Sequence, residues 1–238
     1  MVHAAAQGPS LPPDAFLFPP TLASALGAME NLNFAEPCLP NKFGRLLLLA
    51  VEEILGRNAV MATLRMAGLP SLMGSYPPNN LDFGFPFRNT GAIHQALEEL
   101  YGPRGGRGVA LRAGRALFKH GLREFGSSLG VSDLSFRLLP LNMKLKAGAA
   151  GFLEIFKRYT HQVILYEEEP ESFLWHLESC PLCWGRKTDS PCCHLGVGLV
   201  QESLYWLSGG KNFVVEELSC FARGDSRCTF AVARKPLD

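Results

Sequence analysis

Cysteines concentrate in the last quarter of the chain, and this clustering constrains the possible folds more than any other feature of the sequence. Six of the seven cysteines lie there, namely Cys180, Cys183, Cys192, Cys193, Cys220 and Cys228, and Cys38 is the exception. Cysteines that act as small apolar core residues are usually scattered along a chain. The clustering therefore predicts a metal site or a disulfide framework.

The spacing of the cysteines favours a site built from a turn and a hairpin. Cys180-x-x-Cys183 is typical of a tight turn that directs two sulfur atoms at one cation. The runs FVVEELSCFA and CTFAVAR predict the two strands of a hairpin, which brings Cys220 near Cys228. Glu217 precedes Cys220 by three residues, so a regular strand would place the two side chains on opposite faces. Both can bind one ion only if a bulge or a strand end re-aims one of them.

Cys193 stands at the start of a predicted helix. The segment HLGVGLVQESLYWLSGG has apolar residues at roughly helical spacing and ends at a pair of glycines. The helix dipole lowers the pKa of a thiol at this position and prepares the thiolate for metal binding. Zinc bound by a subset of the six cysteines is the favoured interpretation. The alternatives are an iron–sulfur cluster, disulfides and inert buried thiols, and the neighbouring His194 is an alternative ligand.

These motifs together resemble a known family. The ordered residues are Cys193 before its helix, Glu217-x-x-Cys220, the Gly224-Asp225 turn and Cys228-x-Phe230. They resemble the C-terminal signature of the 4-vinyl-reductase domain family, which includes sensory domains of phenol- and xylene-responsive activators and an accessory protein of bacteriochlorophyll synthesis. The family is similar in fold to subunits of the TRAPP tethering complex. The resemblance implies a zinc ion bound by Cys193, Glu217, Cys220 and Cys228, with Cys180 and Cys183 as an added pair.

Composition excludes several functional classes. The 238 residues are 47% hydrophobic and carry a formal net charge of +1, which is typical of a globular protein and does not favour direct nucleic-acid binding. The longest apolar run, Leu46 to Val51, is too short to span a bilayer. The N-terminus lacks the basic and apolar regions of a signal peptide. We therefore expect a cytoplasmic protein without a membrane span.

The order of predicted elements indicates an α+β fold. Residues 1–40 are a proline-rich N-terminal arm, and residues 41–238 are one ligand-binding domain whose metal-binding segment is 180–230. Helices are predicted over 43–55, 58–66, 90–101, 109–125 and 145–159, and a lid or dimer contact over the aromatic-rich loop 70–89. Strands over 162–168 and 172–177 join the terminal hairpin. The result is an antiparallel sheet of about four strands covered by helices, as in TRAPP subunits.

The sequence favours a binding module over an enzyme. It contains no Ser-His-Asp order, nucleophile elbow or dinucleotide fingerprint, and a four-ligand metal site has no vacancy for catalysis. We therefore predict that an apolar pocket beside the zinc binds a small hydrophobic or aromatic molecule in a sensory or carrier role. Its predicted lining is Phe173, Trp175, His94 and His120. The alternatives are an accessory protein or reductase of tetrapyrrole metabolism with an iron–sulfur cluster, and a scaffold subunit. The apolar first helix and the arm predict a homodimer.

Overall fold

The computed structural model describes residues 36–129, 136, 138–160 and 162–237. The predicted arm lies outside the described residues as far as residue 35. Residues 38–40 form strand β1 (Cys38–Pro40), which pairs in antiparallel fashion with β2 (Phe83–Pro86). This pair places the side chain of Phe85 under the first helix, where Phe85 is fully buried.

Helices form most of the first two thirds of the described chain. They are α1 (Asn41–Leu55), α2 (Arg57–Met66), the single turn α3 (Ser71–Gly74), α4 (Phe87–Phe125) and α5 (Leu141–Tyr159). A last helix, α6 (His194–Ser208), starts directly after Cys193 and ends at Gly209, whose φ is 77°. None of the described helices is long and apolar enough to cross a membrane.

Helix α4 spans both of the helices that the sequence predicts over 90–101 and 109–125. It is interrupted only at Gly102, where φ is 70°, and helical structure resumes at Pro103. Proline is well suited to the first helical position because it lacks an N–H and its φ is already close to the helical value. Residues 103–108, which lie between the two predicted helices, are therefore the first turns of the second half of α4.

The larger sheet is antiparallel and has the strand order β3-β4-β6-β5. Its strands are β3 (Ile164–Glu168), β4 (Ser172–Leu177), β5 (Val215–Ser219) and β6 (Cys228–Ala233). Strand β4 lies between β3 and β6, with Trp175 opposite Phe230. The predicted α+β class and the four-stranded antiparallel sheet are confirmed.

Helices α4 and α6 cross at unusually close range. An ideal Cβ atom built on Gly114 would lie 2.0 Å from the carbonyl oxygen of Leu195, and one built on Gly198 would lie 2.0 Å from that of Leu111. The two glycines therefore let each helix approach the backbone of the other. This crossing fixes the start of α6, and Cys193 with it, against the long helix.

The segment predicted to be a lid or dimer contact, residues 70–89, contains regular secondary structure at both ends. It contains α3, β2 and the first residues of α4. The rings of Phe85 and Phe87 are almost completely buried. Phe87 also makes an edge contact with Trp184 at 5.5 Å between ring centroids. These two aromatic residues anchor the segment to the core.

Candidate functional site

The six clustered cysteines converge on one buried point. All six are free and buried. The Sγ atoms of Cys180 and Cys193 are 3.6 Å apart, and those of Cys183 and Cys228 are 3.5 Å apart. Cys220 completes the cluster at 3.9 Å from Cys193. Its sulfur is also 3.8 Å from that of Cys192. The convergence expected from sequence spacing is therefore present in the fold.

Local structure explains how these sulfur atoms meet. Cys180 precedes a single 3₁₀ turn (Pro181–Cys183) that ends at Cys183, so both sulfurs of the C-x-x-C motif face the same point. Cys193 is the N-cap of α6, and Cys228 is the first residue of β6. The pairing of β5 with β6 shifts register between Glu217 and Ser219. The shift brings Glu217 to the side of the sulfurs, as the sequence requires of a shared site.

Glu217 is held in an unusual environment for a carboxylate. Its Oε2 accepts a hydrogen bond from the backbone N–H of Cys193 at 2.6 Å. Its Oε1 is buried and has no partner among the described residues. Burial, together with the nearby Cys220 sulfur, raises the pKa of Glu217 to about 8. The backbone of Cys193 thus holds one oxygen, while the other is free to bind a cation.

The donor atoms fall into two sets of four. One set is Cys180, Cys183, Cys193 and Cys228, and the other is Cys193, Glu217, Cys220 and Cys228. Within each set the donor atoms lie within 4.8 Å of one another. All six predicted metal ligands are thus close together. Cys192, which was not among them, lies beside Cys220.

A buried arginine adjoins the cluster and was missed from the sequence. The Arg186 guanidinium donates to the backbone oxygen of Cys192 at 3.4 Å and forms a 2.6 Å ion pair with Glu98. Its side chain is 3% exposed, against 23% for Glu98. In the sequence, the only indication that Arg186 belongs to the cluster is that it follows the C-x-x-C motif by three residues.

A second feature is a partly open apolar chamber between the helices and the large sheet. Its volume is about 230 Å³. The walls come from α1, the end of α4, α5, α6 and the strands β3, β4 and β6. Phe173 and Trp175, two predicted pocket residues, both line the chamber. Gly148, Ala149 and Gly151 of the small-residue run in α5 also line it.

Few polar groups face the chamber. Tyr166 lines it, with its ring 5.8 Å from that of Phe173 and 5.5 Å from that of Trp175. Burial, followed by the charge of Glu168, raises the pKa of Tyr166 to about 12, so its phenol stays neutral. Thr90 also lines the chamber, and its buried Oγ1 has no hydrogen-bond partner among the described residues.

The two predicted pocket histidines are separated by the fold, and neither lines the chamber. His94 lies one helical turn beyond Thr90 and is buried, with Nδ1 3.2 Å from the carbonyl oxygen of Leu182. Its Nε2 is buried without a partner among the described residues. Burial and the nearby Arg186 charge lower the pKa of His94 to about 3. His120 instead points to Glu53, whose Oε2 is 2.9 Å from its Nε2.

No protein-family model matches the chain, and no curated protein matches its sequence. Similarity appears among solved structures. A Fe(II) unliganded H-NOX protein from K. algicida shares 16% identity at a TM-score of 0.54, over 84% of this chain and 99% of that one. A mutant H-NOX domain from Shewanella oneidensis in the Fe(II)CO ligation state shares 14% identity at 0.51, over 79% and 96%. An H-NOX structure described in terms of heme distortion shares 12% identity at 0.51, over 84% and 97%. At these identities the similarity shows the fold.

These findings correct the family assignment. The 4-vinyl-reductase prediction is wrong, because the chain matches no family model and its structural neighbours are H-NOX proteins. The resemblance rested on a few residues around the cysteines, and these residues describe a local site without specifying how the helices connect. The function predicted from it, a zinc-associated pocket for an aromatic molecule, is wrong for the same reason, as are its tetrapyrrole-accessory and scaffold alternatives.

The cofactor prediction is corrected as well. Zinc, with an iron–sulfur cluster as its alternative, is not the group that the structural neighbours carry, since they are described by Fe(II) ligation and heme. What the structure shows of the cysteine cluster is the spacing of its donor atoms. The predicted homodimer and cytoplasmic location stay predictions.

Proposed function

We propose that this chain is a heme-binding domain that senses a diatomic gas. The observation that carries the proposal is the apolar chamber inside a fold shared with H-NOX proteins over nearly their whole length. A porphyrin presents two broad apolar faces, and burying apolar surface is the main source of its binding free energy. The chamber supplies aromatic and aliphatic contacts from α5 on one side and from the sheet on the other.

The described residues offer heme iron one candidate ligand, a buried imidazole that lies outside the chamber lining. Among the described residues that line the chamber there is no histidine, cysteine or methionine. His94, one turn beyond the lining residue Thr90, has a buried ring nitrogen without a partner among the described residues. We therefore assign His94 as the residue that would ligate the iron.

The environment of His94 prepares it for that role. Its Nδ1–H donates to the Leu182 carbonyl, which leaves the lone pair on Nε2. Its lowered pKa keeps the ring neutral at pH 7, and the neutral ring is the form that binds metals. A backbone hydrogen bond to the other ring nitrogen is the usual support of a metal-binding histidine. Bound heme iron would supply the position at which CO or a similar gas binds.

The size of the chamber adds a kinetic expectation. Its volume of about 230 Å³ is below the roughly 300–1,000 Å³ of typical ligand pockets. The side chains around it must therefore move apart when a porphyrin enters. Binding that requires such a change associates more slowly than docking to a preformed site, so hemin is expected to bind slowly.

The test is a hemin titration followed by visible absorption. The wild-type chain is expected to bind one hemin per chain and to show a sharpened Soret band. His94→Gly is expected to change this band, and added imidazole should restore it by filling the space left by the ring. His120→Gly, the matched control, is expected to bind like the wild type. The absence of saturable binding would refute the proposal, and identical spectra for wild type and His94→Gly would refute the role of His94.

A further inference from the structure

The cysteine cluster contains more donors than a single tetrahedral cation can use. A four-coordinate ion bound by sulfur takes four ligands, whereas the two donor sets together contain five cysteines and Glu217. The sets overlap only at Cys193 and Cys228. Each set therefore has two donors that it shares with the other set and two donors of its own. This is the arrangement of two tetrahedra that share an edge.

The sulfur distances agree with such an arrangement. A metal–sulfur bond of about 2.3 Å in a tetrahedron places neighbouring sulfurs roughly 3.8 Å apart. In the first set, the Cys180–Cys193 and Cys183–Cys228 sulfur pairs are 3.6 Å and 3.5 Å apart. In the second, the Cys193–Cys220 pair is 3.9 Å apart. These three sulfur pairs are therefore close to the spacing that a bound ion requires, and the other donor atoms of each set lie within 4.8 Å of one another.

A single ion would leave buried donors uncompensated. If it occupied the four-cysteine set, Glu217 and Cys220 would remain without a cation. The Oε1 atom of Glu217 is buried and has no other partner among the described residues. Leaving a buried polar group unsatisfied is costly. Arg186, a buried cation beside Cys192, is already paired with Glu98.

The geometry points to a site for two thiophilic divalent cations, bridged by the sulfurs of Cys193 and Cys228. Cys180 and Cys183 complete the first position, and Cys220 with the free oxygen of Glu217 completes the second. The ions would join the 3₁₀ turn, the start of α6 and the β5–β6 hairpin. None of the proposed ligands lines the chamber, so the proposal stands whether or not hemin binds.

The experiment uses the full chain, reduced, freed of metal and kept without oxygen. Cd²⁺ is added, bound ions are counted by native mass spectrometry, and thiolate-to-metal absorption is recorded. The wild type is expected to bind two Cd²⁺ ions. The double variant Cys180→Ser with Cys183→Ser is expected to bind one, and Cys38→Ser, outside the cluster, is expected to bind two.

A milder variant keeps the test independent of folding. Glu217→Gln preserves the size of the side chain but cannot ionise to a carboxylate ligand, so it is expected to weaken the binding of one of the two ions by at least about tenfold and leave that of the other unchanged. Saturation of the wild type at one Cd²⁺ would overturn the two-ion site. Equal weakening of both ions by Glu217→Gln would overturn the assignment of Glu217 to one position, and absence of binding would overturn the site altogether.

Discussion

The buried imidazole of His94 makes the stability of this chain dependent on pH. Burial, reinforced by the charges of Arg186 and His194, lowers its pKa to about 3 in the folded protein. In the unfolded chain the pKa is about 6.5. Because the pKa of His94 is lower in the folded protein, acid protonates His94 in the unfolded chain first. This protonation stabilises the unfolded state relative to the folded one. The contribution of neutral His94 is therefore complete above about pH 6.5 and decreases as the pH falls towards 3.

The size of the effect follows from these two pKa values. Between pH 7.5 and pH 5.0, protonation of His94 in the unfolded chain lowers the free energy of unfolding by about 2 kcal/mol. The assay is urea unfolding of the reduced chain, free of heme and metal, at both pH values. His94→Gln removes the titrating ring and is expected to lose about 2 kcal/mol less than the wild type over this interval. The control His120→Gln should retain the loss attributed to His94. Equal losses in wild type and His94→Gln would refute the reasoning.

Other substitutions test the packing and the chamber. Gly114→Ala should lower the free energy of unfolding by about 2 kcal/mol or more, because its Cβ would meet the carbonyl oxygen of Leu195. Gly108→Ala, with nothing within 4 Å of its Cβ, should raise that free energy by about 0.5–1 kcal/mol through helix propensity; urea unfolding separates the two. Ala149→Phe should fill the chamber and weaken hemin binding at least about tenfold in the titration. Arg186→Met should cost about 2 kcal/mol in urea unfolding by breaking a largely buried ion pair.

The convergence of the cysteines could be predicted because spacing and strand pairing are local signals. The C-x-x-C turn and the terminal hairpin follow from neighbouring residues. Even the conflict between Glu217 and Cys220 was visible in the sequence, since they are an odd number of residues apart. In the structure, the register of β5 shifts after Glu217. This is the irregularity that the odd spacing predicts.

The position of each histidine could not be predicted, because it depends on tertiary packing. His94 and His120 both lie on α4 and looked equivalent in the sequence. The helix breaks at Gly102 between them. The fold then packs His94 against the 3₁₀ turn and leaves His120 beside Glu53.

The fold itself is encoded in contacts between residues far apart in the chain. The structural neighbours share only 12–16% identity with this chain, so few residues carry the similarity. The β1–β2 pair joins residues 38–40 to residues 83–86. No local sequence pattern predicts a pairing between segments so far apart in the chain. The burial of Phe85 and Phe87, in a segment predicted to be a lid or dimer contact, has the same origin.

The most direct test of the proposed function is the absorption spectrum of the chain purified from cells supplied with a heme precursor. The account predicts a Soret band, one heme per chain by pyridine hemochrome assay, and a shift of that band when CO is added to the ferrous protein. A colourless protein that also fails to take up hemin after purification would contradict it.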